Sequence, residues 1–230
     1  MIEQIKIIRN IIFQPRKAFE DINKKPNWLT IFIILAIGTI IINYLTLPFM
    51  MKITKLSIPS YISPDEAEKV LETAKRMQIM GIFSSPLLLL IGFLIVALVI
   101  WLAVNLFSEV DFKRIFSMVV YCAIIPFFSS VLSLIILEIR GLQSIENAMD
   151  IQVSLGLDIF LPKSDLSLPL KMVLSNINVF SIWWVVLIGL GISVISKISK
   201  FKSFFIAGFF WFISNIIKII FFLYNNKFLK

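Results

Sequence analysis

Apolar side chains run along this chain in long blocks, and the charges gather in the short segments between them. The blocks fall at about 28–48, 82–107, 115–137, 177–196 and 204–224. Some 20 apolar residues in a helix cover about 30 Å, the thickness of bilayer hydrocarbon. The pattern therefore predicts an all-α fold: a polytopic membrane helix bundle with five transmembrane helices. Trp28 and Tyr44 stand near the ends of the first block, where amphipathic rings prefer the membrane interface. In the second block, Ser85-Pro86 reads either as an N-cap and first turn or as a kink near the entry. Pro126 lies within the third block, removes one helical hydrogen bond and frees the carbonyl of Cys122, so it marks a helix kink.

The polar segments carry patterns of their own. Residues 1–27 form a cytoplasmic amphipathic amino-terminal segment, ahead of a five-span membrane domain at 28–230. Ile2, Ile5, Ile8, Ile12 and Phe13 recur near helical spacing, with Lys6, Arg9, Arg16 and Lys17 supplying charge. Such a helix either lies in the headgroup plane with its apolar face down or packs on the protein's own cytoplasmic end. Pro15 ends or kinks it. Ser63-Pro64-Asp65-Glu66 is a helix start with acids in the first turn, leading into a short polar helix joined to the second span. Residues 141–171, with Gly156, Pro162 and Pro169, read as a loop or a pair of interfacial helices.

Composition agrees with the blocks. Of 230 residues, 59% are hydrophobic and 16% charged, more apolar surface than a soluble domain of this length can hide. The net charge of +8 sits between spans, where orientation signals belong, and not in a stripe with exposed aromatics, so nucleic acid is not an expected partner. Lys6, Arg9, Arg16, Lys17, Lys24, Lys25, Lys113, Arg114, Lys197, Lys200 and Lys202 crowd short segments on one side. That density places the amino terminus in the cytoplasm and the carboxyl terminus outside, in a multi-pass protein of the cell membrane. No cleavage site follows the first apolar stretch, so the first span reads as an uncleaved anchor. The one cysteine, Cys122, reads as a small buried hydrophobe. With no histidine and no carboxylate deep in a span, no catalytic, metal-binding or cofactor-binding residue stands out. An enzyme is not expected, and no cofactor.

Candidate sites are therefore polar or small residues inside spans. Lys218 is the one charge well inside a block; its stem either snorkels to the interface or the ammonium pairs with Glu138 at the end of the third span. Asn215, three residues earlier, shares its helical face and extends the candidate polar cluster. Asn43, Asn105 and Asn215 are expected to hydrogen-bond between helices. Gly189 and Ser193 have the spacing that lets helices approach closely, within one chain by default or between copies.

Several phrases are specific in combination: Pro15-Arg16-Lys17-Ala18-Phe19 with Ile22; Pro26-Asn27-Trp28 entering a span; Asp111-Phe112-Lys113-Arg114-Ile115 leading to Tyr121 and Pro126. Phe180-Ser181-Ile182-Trp183, Gly189-Leu190-Gly191 and Ser199-Lys200-Phe201-Lys202 complete the set. Together they resemble the Ypt-interacting protein (YIP) family, in its prokaryotic branch. The resemblance implies five spans and a cytoplasmic amino terminus; eukaryotic relatives are associated with small GTPases of the Rab type, a partner reached here only by analogy. The expected function is non-enzymatic: organising or partnering other membrane components, with the lipid bilayer and another membrane protein or a second copy as partners. The alternative is a transporter of small solutes or ions, or a subunit of one.

Overall fold

The computed structural model describes residues 2–147, 150–160 and 168–227. Pro162, part of the expected 141–171 loop, lies outside the described residues. Among them the secondary structure is helical, and five helical stretches are long and apolar enough to cross a membrane: Leu29–Leu56, Pro64–Asn105, Phe112–Arg140, Val179–Ser196 and Lys200–Phe221. The chain is a multi-pass membrane protein. Its elements are α1 (Ile2–Phe13), α2 (Pro15–Lys24), α3 (Leu29–Leu56), α4 (Pro64–Asn105), α5 (Phe112–Cys122) and α6 (Ile124–Arg140), then two 3-10 turns, α7 (Leu168–Asn176), α8 (Val179–Ser196) and α9 (Lys200–Lys227).

Local chemistry explains the boundaries. Pro15 opens α2 at its first position, where the missing N–H has no helical acceptor to lose, so the amino-terminal segment is two helices parted at Gln14. Ser63 and Glu66 cap α4 reciprocally: the Ser63 hydroxyl donates to the Glu66 carboxylate at 2.9 Å and accepts from the Glu66 N–H at 3.3 Å. From there α4 continues unbroken into the span. Asn178 and Ser181 form a second reciprocal cap, which starts α8 just after α7 ends at Asn176.

Prolines inside the spans have different outcomes. The first span does not stop at Pro48 but continues to Leu56 with that proline inside it. Pro86 also lies inside a helix, α4, and cannot donate to Ile82; the Ser85 hydroxyl donates to that carbonyl instead, at 2.7 Å. Pro126 has a third outcome. There the helix is interrupted at Ala123, and Pro126 falls in the first turn of α6.

The chain divides into two compact units. Unit 1 comprises residues 1–32, 92–126 and 154–230. Its core joins Ile11, Phe19 and Ile22 of the amino-terminal helices to Ile115 and Met118 of α5 and to Leu187, Ile188 and Ile192 of α8, all at most fractionally exposed. Unit 2 comprises residues 33–91 and 127–153. Its small core is Phe49, Leu137 and Ile145, flanked by Ile53, Ile151 and Val153. The Gly38 backbone packs against the ring of Phe127, and Lys52 Nζ donates to the Leu142 carbonyl at 2.6 Å. Elsewhere the spans show apolar side chains outward, such as Ile37 and Ile41 on α3, Leu87 and Leu88 on α4, and Phe205 and Phe209 on α9. In a bilayer the surrounding acyl chains are as apolar as these side chains, so their exposure carries no penalty.

Candidate functional site

The most elaborate arrangement in the molecule lies in unit 1, where α1 and α2 pack on the ends of membrane helices. The strong amphipathicity of α2 decides its pose: Ala18, Phe19 and Ile22 are buried, while Arg16, Lys17, Glu20 and Lys24 are exposed. The apolar face is used up inside the protein, with α2 against α8 and α5. Of the two arrangements open to the amphipathic segment, packing on the protein itself is the one observed for α2. Gly191 makes the closeness possible. A Cβ there would stand against the Met118 sulfur and 3.1 Å from the Phe19 ring, so α8, α5 and α2 meet where one side chain is missing.

Aromatic rings extend this contact. Trp28 meets Phe116 edge-on with centroids 5.0 Å apart, Phe116 stacks with Phe112 at 5.9 Å, and Phe112 meets Trp101 at 6.0 Å. The Trp101 indole donates to the Val110 carbonyl at 2.8 Å. Asn105 accepts from the Val110 N–H at 3.3 Å and donates to the Trp101 carbonyl at 2.8 Å, fixing the turn from α4 into α5. Asp111 then caps α5 by accepting from the Lys113 N–H.

The connections at this end are tied to one another. Arg114 donates to the Asn23 side chain at 3.1 Å, linking α5 to α2. The Ser108 hydroxyl donates to the Ser196 carbonyl at 2.9 Å, and the Lys202 ammonium lies 4.6 Å from the Phe107 ring centre. Lys197 ends α8 in the left-handed conformation, φ 55°, a position that glycine favours. No sequence pattern announced these ties: Ser108, Lys197 and Phe107 belong to no motif, and only the meeting of distant turns gives them partners.

The outer face of the hairpin is polar. Arg16 and Glu20 form an exposed ion pair at 3.5 Å, and Gln14, Pro15, Arg16, Lys17 and Glu20 border an open depression of about 470 Å³. Phe13, at the turn between the two helices, is 76% exposed.

The residues singled out from the sequence are distributed through the molecule. Lys218 is an exposed residue of α9 in unit 1, and Glu138 an exposed residue of α6 in unit 2. Asn215 donates to the Trp211 carbonyl of its own helix at 2.8 Å, and its side-chain oxygen is buried without a partner among the described residues. Asn105 likewise bonds its own helix and the turn that follows, not a neighbouring span, because the side chain reaches the carbonyl four residues back. A Cβ on Gly189 would lie 2.8 Å from the Phe204 ring, so this glycine seats α9 on α8 within the chain. The Ser193 hydroxyl donates to the Ile198 carbonyl at 3.4 Å.

The motif pieces quoted from the sequence thus converge: Phe19, Trp28 and Gly191 meet at α5, which itself carries Phe112 and Arg114, within one unit. A family model, the Yip1 domain, matches residues 9–222, nearly the whole chain. The chain belongs to the Yip1 domain family. No curated protein and no solved structure matches it. The family match begins at Arg9, within α1, so the docked hairpin lies mostly inside the Yip1 domain and is not an appendage to it.

Proposed function

We propose that this Yip1 domain protein is a non-enzymatic membrane component that organises or partners other membrane components, through the outer face of its amino-terminal hairpin. The observation that carries this reading is the pose of α2: Phe19 and Ile22 anchor it, so Arg16, Lys17 and Lys24 stand on a platform fixed to the membrane helices. A platform ordered before encounter spares a partner the entropy of ordering it. Phe13 beside Arg16 and Lys17 supplies an apolar anchor with a basic rim, a combination suited to another membrane protein or a second copy of this chain. In this reading the hairpin lies on the cytoplasmic side of the cell membrane, as the density of basic residues at this end favours.

The test is a crosslinking pull-down from native membranes with the intact chain and a triple variant, Phe13→Ser with Arg16→Glu and Lys17→Glu. Deleting the first 19 residues would be a poor control, because it takes Ile11 and Phe19 out of the core. A partner captured by the intact chain and lost in the surface variant supports the platform; equal capture by both overturns it. A second reading, a transporter or a subunit of one, is favoured by polar atoms buried without partners inside spans, Ser117 Oγ and Asn215 Oδ1. Solute flux in liposomes that falls with Ser117→Ala would replace the first reading with the second.

A further inference from the structure

Unit 2 holds a groove between α3 and α6 that the hairpin reading does not use. It encloses about 230 Å³ and is lined by Ile42, Thr46, Ser129, Ser133 and Leu134, with Ile151 among its walls. We infer that this groove seats one glycerolipid of the bilayer, its ester region on the Ser133 hydroxyl and part of an acyl chain along Ser129, Ile42 and Leu134.

Three observations carry this. The first is unused hydrogen-bonding capacity. The Thr46 hydroxyl donates to the Ile42 carbonyl at 2.8 Å, which leaves its oxygen free to accept. Ser129 and Ser133 make no side-chain hydrogen bond to another described residue. Hydroxyls in a span need partners, because hydrocarbon supplies none. Ester carbonyls are acceptors and match the free donor of Ser133.

The second is depth. Thr46 lies six residues inward from Lys52 on α3, about 9 Å at helical rise, and Ser133 seven inward from Arg140 on α6, about 10 Å. Charged residues mark the headgroup level, and the polar layer between headgroup and hydrocarbon is roughly 5–8 Å thick. The Thr46 and Ser133 hydroxyls therefore stand where ester groups give way to chains, while Ser129, eleven residues inward from Arg140 and about 16 Å at helical rise, lies deeper, among the chains. Arg140, one turn beyond the groove residue Leu137 and exposed, suits the phosphate of the same lipid. The third is size. The volume is below the ~300 Å³ at which pockets for whole small molecules begin, so it fits a segment of an elongated molecule.

The test uses the full chain, stripped of lipid in mild detergent and titrated with a palmitoyl-oleoyl phosphatidylglycerol. Bound copies are counted by native mass spectrometry, and folding is followed by the thermal transition. The wild type is expected to retain one discrete lipid copy. Ser133→Ala should weaken it by about fivefold, whereas Ser129→Ala should leave it within about twofold. Ser133→Leu, which fills the groove with an apolar side chain, should abolish the discrete copy while the transition persists. Thr46→Val keeps the shape of the wall and removes an acceptor, so it should leave the affinity within about twofold if the esters only accept. Retention of the same copy by Ser133→Leu overturns the proposal. So does a Ser133→Leu protein that changes oligomeric state without losing lipid, since the groove would then seat a helix of a second copy.

Discussion

Unit 1 buries α5 on every side from Ile115 to Cys122, whereas unit 2 leaves α3 and the start of α4 facing outward along most of their length. Both are made of apolar helices, so hydrophobicity does not separate them. What separates them is the supply of a covering layer. In unit 1 the amino-terminal hairpin brings Ile11, Phe19 and Ile22 onto α5 and α8, and Gly189 and Gly191 let the neighbours close in. Unit 2 has Phe49, Leu137 and Ile145 at its centre, and its remaining apolar surface is left for lipid. In a membrane, helices gain nothing by hiding from water that is absent, and association rests on packing quality. The densely packed unit should thus hold its shape by itself, and the sparse one should depend on what surrounds it.

The largest effect should come from the two buried rings that stand for this contrast. Phe19→Ala removes a fully buried ring where three helices meet and should cost about 3–5 kcal/mol, enough to abolish a cooperative thermal transition in detergent. Phe49→Ala, in unit 2, should cost ~2–3 kcal/mol, at or below the low end for such truncations, because Ile53, Ile151 and Val153 around it are only partly buried and can shift into the space. Equal losses, measured by thermal unfolding at fixed lipid and detergent, would show that the contrast between the units is not energetic.

A sharper comparison uses a pair of glycines whose outcomes should have opposite signs. Gly191→Leu in unit 1 places a side chain against Met118 and Phe19, and should destabilise by about 1–3 kcal/mol. Gly81→Ala in unit 2 meets nothing within 4 Å, and there the gain in helix propensity should stabilise α4 by roughly 0.5–1 kcal/mol. Hydrogen exchange of α8 and α4 amides reads the two locally. A protective Gly191→Leu would mean that the apparent contact at that glycine yields easily.

Much of this was legible in the residues, and the parts that were not have identifiable causes. The five spans follow from block length alone, since only backbone satisfaction and bilayer thickness decide them. The pose of the hairpin was not decided, because an amphipathic face fits a lipid surface and a protein core equally well. Packing on α8 needs a gap on α8, and Gly191 provides it, yet a glycine in a span reads the same whether it faces lipid or a ring. Pro86 and Pro126 are alike to a rule about helix breakers. They differ in outcome: α4 continues through Pro86, where the Ser85 hydroxyl takes up the Ile82 carbonyl, and the helix breaks at Ala123 ahead of Pro126. A preceding serine is not required, since α3 continues through Pro48 after Leu47. The contacts of Ser108 with Ser196 and of Lys202 with Phe107 join turns far apart in sequence, and no local pattern encodes them.

The smallest effect concerns the end of α8 in unit 1, where that network meets a residue in an unfavourable conformation. Lys197 holds φ 55°, at which a Cβ crowds the backbone and glycine does not. Lys197→Gly should remove that cost but enlarge the freedom of the unfolded chain, so the net stabilisation should be only about 0.5 kcal/mol. For a chain of this length that is ~1–2 °C in the midpoint of thermal unfolding. The sign matters more than the size. If the strain is relieved and the Ser108–Ser196 and Lys202–Phe107 contacts persist, unit 1 should gain stability without change in unit 2. A loss of stability would mean that the Lys197 side chain itself helps hold this end together, and that the dense packing of unit 1 extends through its charged rim.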